Sequence, residues 1–116
     1  KEYNDKLVGK DNHKTLSLII RNNKDEIIGG LVGGTYWGWL YIDRFWINGK
    51  YRNQGLGKNI IKIAEEEAKM RGCKKAQVDT HDFQAFDFYA KQGYKTICEI
   101  KNFPKGHCKY IMIKEL

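Results

Sequence analysis

A short segment that combines glycines with positive charges gives the first chemical signal in this sequence. An amphipathic helical pattern follows the segment, which consists of Tyr51, Arg52, Asn53, Gln54, Gly55, Leu56, Gly57 and Lys58. Glycines let a ligand approach the backbone without a Cβ in the way, and a helix start offers unpaired N–H groups at its positive dipole end. Such a loop binds phosphate or pyrophosphate, and Arg52 and Lys58 add positive charge at its rim.

Two well-known phosphate loops do not fit this segment. A Walker loop requires glycine where Arg52 stands and serine or threonine where Asn59 stands. The dinucleotide fingerprint G-x-G-x-x-G requires glycine in place of Ile60, and it follows the first strand of a doubly wound sheet. Here the loop follows a predicted meander of antiparallel strands, so it belongs to another class.

Two side chains outside this segment could transfer protons. Asp43 is the only acid in the apolar run 40–47, so it is either a solvent-facing or ion-paired strand residue, or a base or anchor for a cationic amine. Tyr89 stands among phenylalanines in one short helical segment, and its spacing alone favours a core aromatic. His81 ends a predicted strand beside the loop, and a surface histidine is the favoured interpretation over a proton relay.

Hydrophobic periodicity predicts the elements that must position these residues. Three antiparallel strands come first, over residues 15–21, 26–35 and 37–47. The paired glycines inside the second strand indicate a bulge or a close backbone approach. The loop 48–57 then leads into a long helix that Gly72 ends.

The second half of the chain completes an α+β pattern. It predicts a strand, a short helix with Asp82 as its cap, and a final hairpin, over residues 74–80, 83–92, 94–101 and 109–114. The strands that flank the long helix form a βαβ unit and are therefore parallel. We predict a mixed, mainly antiparallel sheet with a central βαβ unit and helices on its faces, preceded at residues 1–10 by a helix end or a loose arm.

Length and composition narrow the classes of function. The 116 residues suit one domain over 1–116, and no apolar run approaches the roughly 20 residues of a membrane helix. Neither a signal peptide nor a CxxC pair is present, so we expect a cytoplasmic protein with reduced thiols, no metal and no membrane partner. The net charge of +7 favours an anionic partner, and the scattered lysines favour a phosphorylated cofactor over nucleic acid.

The pattern R-x-x-G-x-G, formed by Arg52, Gly55 and Gly57, resembles the coenzyme A pyrophosphate loop of the GNAT superfamily of N-acetyltransferases. A second segment, 85–94, is similar to the family's motif A-x-x-x-Y-x-x-x-G-[FY]. The resemblance covers residues 39–94 well and the rest loosely. Asp82 departs from the asparagine that the family often has there, and the family's opening elements are largely absent, so we expect part of the N-terminal segment to be missing.

The resemblance implies an acetyl-CoA-dependent N-acetyltransferase in which a primary amine attacks the thioester directly in a ternary complex. It implies Tyr89 as the acid for the departing thiolate. Asp43, the only acid in the third strand, is our hypothesis for the acceptor side, as a base or an amine anchor. The implied cofactor site consists of Phe45, Trp46, Ile47, Arg52, Asn53, Gln54, Gly55, Leu56, Gly57 and Lys58, with main-chain amides of 45–47 holding pantetheine and the oxyanion. The acceptor is a small amine or a protein amine, and a homodimer is compatible with this reading.

Two alternatives stay open from the sequence. One is a module that binds acyl-CoA or CoA without turnover, which would retain cofactor binding and lack activity. The other is a basic nucleic-acid-binding domain, which would bind DNA or RNA in a salt-dependent way and ignore acetyl-CoA.

Overall fold

One six-stranded sheet organises residues 13–116, the part of the chain that this computed structural model describes. The elements in chain order are β1 Lys14–Arg21, β2 Ile27–Tyr36, β3 Trp39–Ile47, a 3-10 turn Gly49–Tyr51, α1 Leu56–Met70, β4 Lys75–His81, α2 Phe86–Lys91, β5 Lys95–Lys101 and β6 Cys108–Glu115. The predicted helix end or arm at residues 1–10 lies outside the described residues. Neither α1 nor α2 is long and apolar enough to cross a membrane.

The sheet order confirms the predicted fold class. The strands lie in the order β1-β2-β3-β4-β6-β5, and among these six strands of residues 13–116 only the β3–β4 pair is parallel. That parallel pair is joined through α1, as the predicted βαβ unit requires. The domain is therefore α+β, with a mixed and mainly antiparallel sheet.

Some element boundaries differ from the prediction for local reasons. Trp37 and Gly38 both have positive φ, at 49° and 79°, so they form a tight two-residue hairpin turn and β3 begins two residues later than predicted. The predicted cap Asp82 is wrong. Its carboxylate accepts from the Cys108 N–H at 3.1 Å and contacts His107 Nδ1 at 3.0 Å, while α2 begins after Ala85 without a side-chain cap.

The core lies between the sheet and the helices. Residues at helical spacing on α1 are buried against alternate residues of the central strands, and each fully buried aliphatic side chain contributes about 1.5–3 kcal/mol. These buried residues include Leu31, Leu40, Ile42, Ile60, Ile61, Ala64, Ala68, Ala76 and Val78. Because strand side chains alternate, Tyr41, Gln77 and Asp79 point to the opposite face, called here the open face.

A β-bulge at Asp43 shapes the centre of the sheet. Val32 pairs with Arg44 and Gly33 with Ile42, which leaves Asp43 without a partner on β2. A Cβ at Gly33 would collide with the Tyr41 carbonyl oxygen, so the predicted close backbone approach is confirmed there. The β3–β4 pairing ends at Ile42 and Val78, although both strands continue. We call this point the fork.

A buried polar network ties α1 to β6. Glu65 is 8% exposed and accepts hydrogen bonds from the Tyr94 hydroxyl at 2.8 Å and from Lys114 Nζ at 2.9 Å. Burial, reinforced by the Glu65 carboxylate, raises the pKa of Tyr94, so this phenol keeps its proton and remains a donor.

We expect Lys114→Met to lower the free energy of unfolding by about 2 kcal/mol, because it leaves the Glu65 carboxylate buried without its cation. Urea denaturation measures the loss. The matched control is Lys69→Met, since Lys69 pairs with Glu66 on the surface, where the side chains are 48% and 59% exposed. Lys69→Met should lower the free energy of unfolding by less than about 0.5 kcal/mol. Equal losses in the two variants would contradict a stabilising role for the buried pair.

Candidate active site

The start of α1 is an uncapped helix N-terminus. Gly55, the residue before the helix, has φ 78° and ψ 4°, and no side chain caps the first turn. The N–H of Asn59 bonds to the Gly55 carbonyl oxygen at 3.1 Å, so the amides of residues 56–58 precede the first helical hydrogen bond. Free amides at a positive dipole end favour an anionic ligand.

The two glycines of this loop have different physical roles. An added Cβ at Gly55 would meet no atom of the described residues within 4 Å, so its left-handed φ is what requires glycine. A Cβ at Gly57 would lie 3.1 Å from Phe45 Cζ and 3.3 Å from the Phe88 ring. Phe45 and Phe88 stack with centroids 5.2 Å apart, so Gly57 lets α1 approach this aromatic pair.

A cleft of about 860 Å³ opens at the fork, between the ends of β3 and β4 and the starts of the two helices. That volume is within the usual range for a small-molecule site. Arg44, Arg52 and Lys58 line it and give its rim positive charge. Arg52 is fixed by a hydrogen bond of 3.3 Å from Nε to the Ile47 carbonyl oxygen, which leaves its other guanidinium N–H groups available to a ligand.

Tyr89 lines the cleft although it is only 4% exposed. Its ring packs against those of Phe45, Phe88 and Tyr94, with centroids 5.5–6.1 Å away. Its hydroxyl makes no hydrogen bond with any residue of the range 13–116, which is uncommon for a buried polar group. Burial raises the pKa of Tyr89 to about 12, so the phenol stays protonated at neutral pH.

Asp43 also lines the cleft, on the exposed bulge of β3. Its carboxylate forms no hydrogen bond or ion pair with another residue in the described part of the chain, so it is available to a ligand or a water molecule. The bulge puts Ile42 and Phe45 on the same core face, so the simple alternation of a regular strand does not apply to Asp43.

A model of the acetyltransferase (GNAT) family matches residues 1–94. The chain belongs to the GNAT acetyltransferase family. This GNAT acetyltransferase is 40% identical over 94 residues to the blasticidin-S acetyltransferase of Streptomyces morookaense, which covers 80% of this chain and 69% of that protein. It is 37% identical over 104 residues to the acetyltransferase Atu2258 of Agrobacterium fabrum, over 90% of this chain and 76% of that one.

Solved structures agree with this assignment. A crystal structure of an acetyltransferase from Bacillus cereus matches the GNAT acetyltransferase with a TM-score of 0.92 and 33% identity, over 99% of this chain and 84% of that chain. At 16% identity, an aminoglycoside 6'-N-acetyltransferase complexed with coenzyme A shares the fold, with a TM-score of 0.78 over 87% of this chain and 72% of that chain.

The fold of this GNAT acetyltransferase brings most of the predicted site residues to one cleft. Tyr89 and Asp43 line it together with the predicted cofactor residues Phe45, Trp46, Ile47, Arg52, Asn53, Gly55, Leu56, Gly57 and Lys58. Gln54 is exposed and is not part of the lining. The Trp46 ring lies against Gly30, where an added Cβ would collide with it, so any contact of Trp46 with the cofactor is expected from its main chain.

The sequence missed several residues of the cleft. The sequence patterns assign no site role to Arg44 or Phe88, yet both line the cleft. Asp79, which the sequence places at the end of a strand beside the predicted cofactor cleft, lines the cleft as well. Arg44 could have been predicted from its position in the strand that leads into the glycine loop with its flanking cations. His81 contacts Gln84 Oε1 at 3.0 Å and does not line the cleft, which agrees with the surface interpretation.

Proposed function

We propose that this GNAT acetyltransferase transfers the acetyl group of acetyl-CoA to the nitrogen of a primary amine by direct attack in a ternary complex. One observation carries the proposal: a single cleft joins an uncapped, cation-flanked helix N-terminus to a buried tyrosine hydroxyl that has no partner among residues 13–116. The first feature suits a pyrophosphate and the second suits an acid beside a leaving group.

The start of α1 fits the anionic part of the cofactor. The amides of residues 56–58 would donate to the pyrophosphate, and Arg52 and Lys58 would balance its charge. Along 43–47, the edge of β3 beyond the fork has no strand partner on the β4 side within the described chain. Amides on that edge are available to pantetheine and to the oxyanion that forms when the amine attacks the carbonyl.

Proton transfer is assigned to two side chains on opposite sides of the reaction. The amine must lose a proton before it attacks, and Asp43 can accept it directly or through water. As the carbon–sulfur bond breaks, the electron pair goes to sulfur, and Tyr89 supplies the proton that this thiolate needs. The raised pKa of Tyr89 keeps it protonated until that moment. The second proton, which the amine nitrogen loses as the amide forms, returns through water to the Tyr89 oxygen.

The acceptor is proposed as a primary amine of a small molecule. A relative of 40% identity is a blasticidin-S acetyltransferase, so blasticidin S heads the panel to be tested, followed by kanamycin, spermidine, lysine and a peptide N-terminus. The assay follows free thiol from acetyl-CoA. We expect at least one amine to raise thiol release well above the rate without amine. If acetyl-CoA binds and no amine raises the rate of thiol release, the protein is a binding module and the proposal is wrong.

We expect Asp43→Asn to lower kcat/KM for the amine about 10-fold and to leave the Kd of acetyl-CoA unchanged, because Asp43 lies on the acceptor side of the reaction. Steady-state kinetics across pH measure the effect. Asp25→Asn is the matched control, since Asp25 lies in an exposed turn with φ 64°, a conformation that asparagine accepts. If Asp43→Asn showed the same kinetics as the parent at every pH, Asp43 would have no role in the mechanism.

A further inference from the structure

A second carboxylate, that of Asp79, lies at the fork, and both of its oxygens have contacts that orient it. The Asp79 Oδ2 atom accepts from the Tyr41 hydroxyl at 3.3 Å, and Oδ1 accepts from Gln77 Nε2 at 3.2 Å. Lys109 Nζ lies 3.8 Å from Oδ2. We call Asp79, Tyr41, Gln77 and Lys109 the Asp79 cluster. It joins β3, β4 and β6 on the open face of the sheet.

The position of the Asp79 cluster relates it to the reaction. Val78 is the last residue of β4 that pairs with β3, and Asp79 is the next residue, just as Asp43 follows Ile42 on β3. A carboxylate therefore stands on each side of the fork, and both line the cleft. Both helices of residues 13–116 pack on the core face, which holds the predicted cofactor site, so within this part of the chain an attacking amine can approach from the open face, where Tyr41 and Asp79 point.

The contacts of Asp79 hold it in one orientation and leave it able to accept a further hydrogen bond. A carboxylate has about four acceptor positions, and the Asp79 cluster supplies two hydrogen-bond donors, with the Lys109 ammonium 3.8 Å away as an ion pair. Burial, reinforced by Asp79, raises the pKa of Tyr41, so Tyr41 remains a donor at neutral pH. Lys109 also lies over the Phe103 ring, 4.9 Å from its centroid, so its charge is shared between two partners.

The side chain of Asp79 is also partly accessible. Asp79 and Lys109 are each 25% exposed, so the carboxylate is neither sealed in the core nor free to move as a surface side chain would be. Asp43, by contrast, is exposed and makes no such contacts within residues 13–116. A bound group requires a fixed partner, so the fixed carboxylate of Asp79 suits amine binding. The exposed carboxylate of Asp43 suits proton exchange with the amine or with water.

We propose that Asp79 binds the ammonium or amine N–H of the acceptor, and that Tyr41 is a positioning residue that acts through Asp79. The inference rests on the proposed function, because it concerns the amine that the acetyl group is transferred to. It selects amines that present a positively charged or N–H-rich group at the fork over neutral nucleophiles such as alcohols and thiols.

The test is a double-mutant cycle of Asp79→Asn and Tyr41→Phe, with the amine of the panel that the parent acetylates fastest. Asp79→Asn should raise KM for that amine about 10- to 100-fold, and Tyr41→Phe about 3- to 10-fold. If Tyr41 acts through Asp79, the double variant should match Asp79→Asn within about twofold. The Kd of acetyl-CoA should stay within about twofold of the parent in all three variants.

The matched control is Glu115→Gln. Glu115 pairs with Lys75 across the same two strands and at the same N–O distance of 3.8 Å, and neither residue lines the cleft. Its KM for the amine should be that of the parent. If Asp79→Asn does not fold, Tyr41→Phe alone decides, since it removes one hydroxyl and keeps the ring.

Each other outcome overturns a stated part of the inference. An unchanged KM in folded Asp79→Asn or Tyr41→Phe that still acetylates the amine would mean that the Asp79 cluster only joins the strands. If the KM increase of the double variant equalled the product of the two single increases, Tyr41 would contact the amine independently of Asp79. If the parent acetylates no amine of the panel, the proposed function fails and this inference fails with it.

Discussion

Gly55→Leu is expected to weaken acetyl-CoA binding by 100-fold or more, about 2.7 kcal/mol. Gly55 precedes α1, and the space where its Cβ would lie contains no atom of residues 13–116 within 4 Å beyond the adjoining residues. We assign that space to the pyrophosphate, so a leucine side chain would occupy it and cover the free amides of the helix start. Isothermal titration calorimetry with acetyl-CoA measures the loss.

The chain offers a close control for this change at the other end of the same helix. Gly72 also has a left-handed φ, 88°, and a Cβ there would meet nothing within 4 Å in the part of the chain that the structure describes. Gly72→Leu should therefore suffer a similar backbone penalty, about 1–2 kcal/mol of stability, and keep its affinity for acetyl-CoA. Equal affinities in the Gly55 and Gly72 variants would show that the loop does not bind the cofactor.

Tyr89→Phe is expected to lower kcat by about 10- to 100-fold, which corresponds to about 1.4–2.7 kcal/mol of barrier. The change removes the hydroxyl and keeps the ring contacts with Phe45, Phe88 and Tyr94. A thiolate with a pKa of about 8.5 is a tolerable leaving group near neutral pH, so the help from an acid lies in the lower part of the usual range. Because the hydroxyl has no protein partner within residues 13–116, the melting temperature should change little.

The neighbouring tyrosine, Tyr94, should show the opposite pair of effects. Tyr94→Phe removes the hydrogen bond to Glu65, so it should lower the melting temperature and leave kcat near that of the parent. Kinetics and thermal unfolding of both purified variants separate the two roles. Full turnover in Tyr89→Phe would mean that water or another residue protonates the sulfur.

The local parts of the fold could be predicted because their signals lie within a few residues of one another. The apolar spacing along α1 and the alternation of β4 identify the βαβ unit, and the glycines at 55 and 57 mark the start of the helix. These signals place the glycine loop, the proposed cofactor site, between β3 and α1, where the structure has it. The family motif then places Tyr89 on α2.

The missed features depend on contacts between distant segments. The bulge at Asp43 is set by pairing with β2, where Gly33 allows the close approach of the Tyr41 carbonyl. Nothing in the run 39–47 alone reveals which residue will be left unpaired, so the fork could not be located from the sequence. Likewise Asp82 satisfies a standard helix-cap pattern, yet its carboxylate bonds to the Cys108 N–H of the distant final hairpin.

The roles of the acids also depend on long-range geometry. The sequence places Asp79 at the end of an alternating strand beside the predicted cofactor cleft, but it does not show whether the carboxylate is fixed by partners or solvated. Its partners Tyr41 and Lys109 come from β3 and β6, and only the sheet order brings them together. The same holds for the Phe45–Phe88 stack that Gly57 packs against.

The most direct test of the central claim follows the acetyl group itself. Acetyl-CoA labelled with carbon-13 in the acetyl group is incubated with the protein and the best amine of the panel, and mass spectrometry is recorded on both the amine and the protein. Direct transfer predicts labelled acetyl on the amine nitrogen in equal amount to the thiol released, with no label on the protein before the amine is added. Labelled protein that transfers its acetyl group to the amine, or thiol released without acetylated amine, would contradict the account.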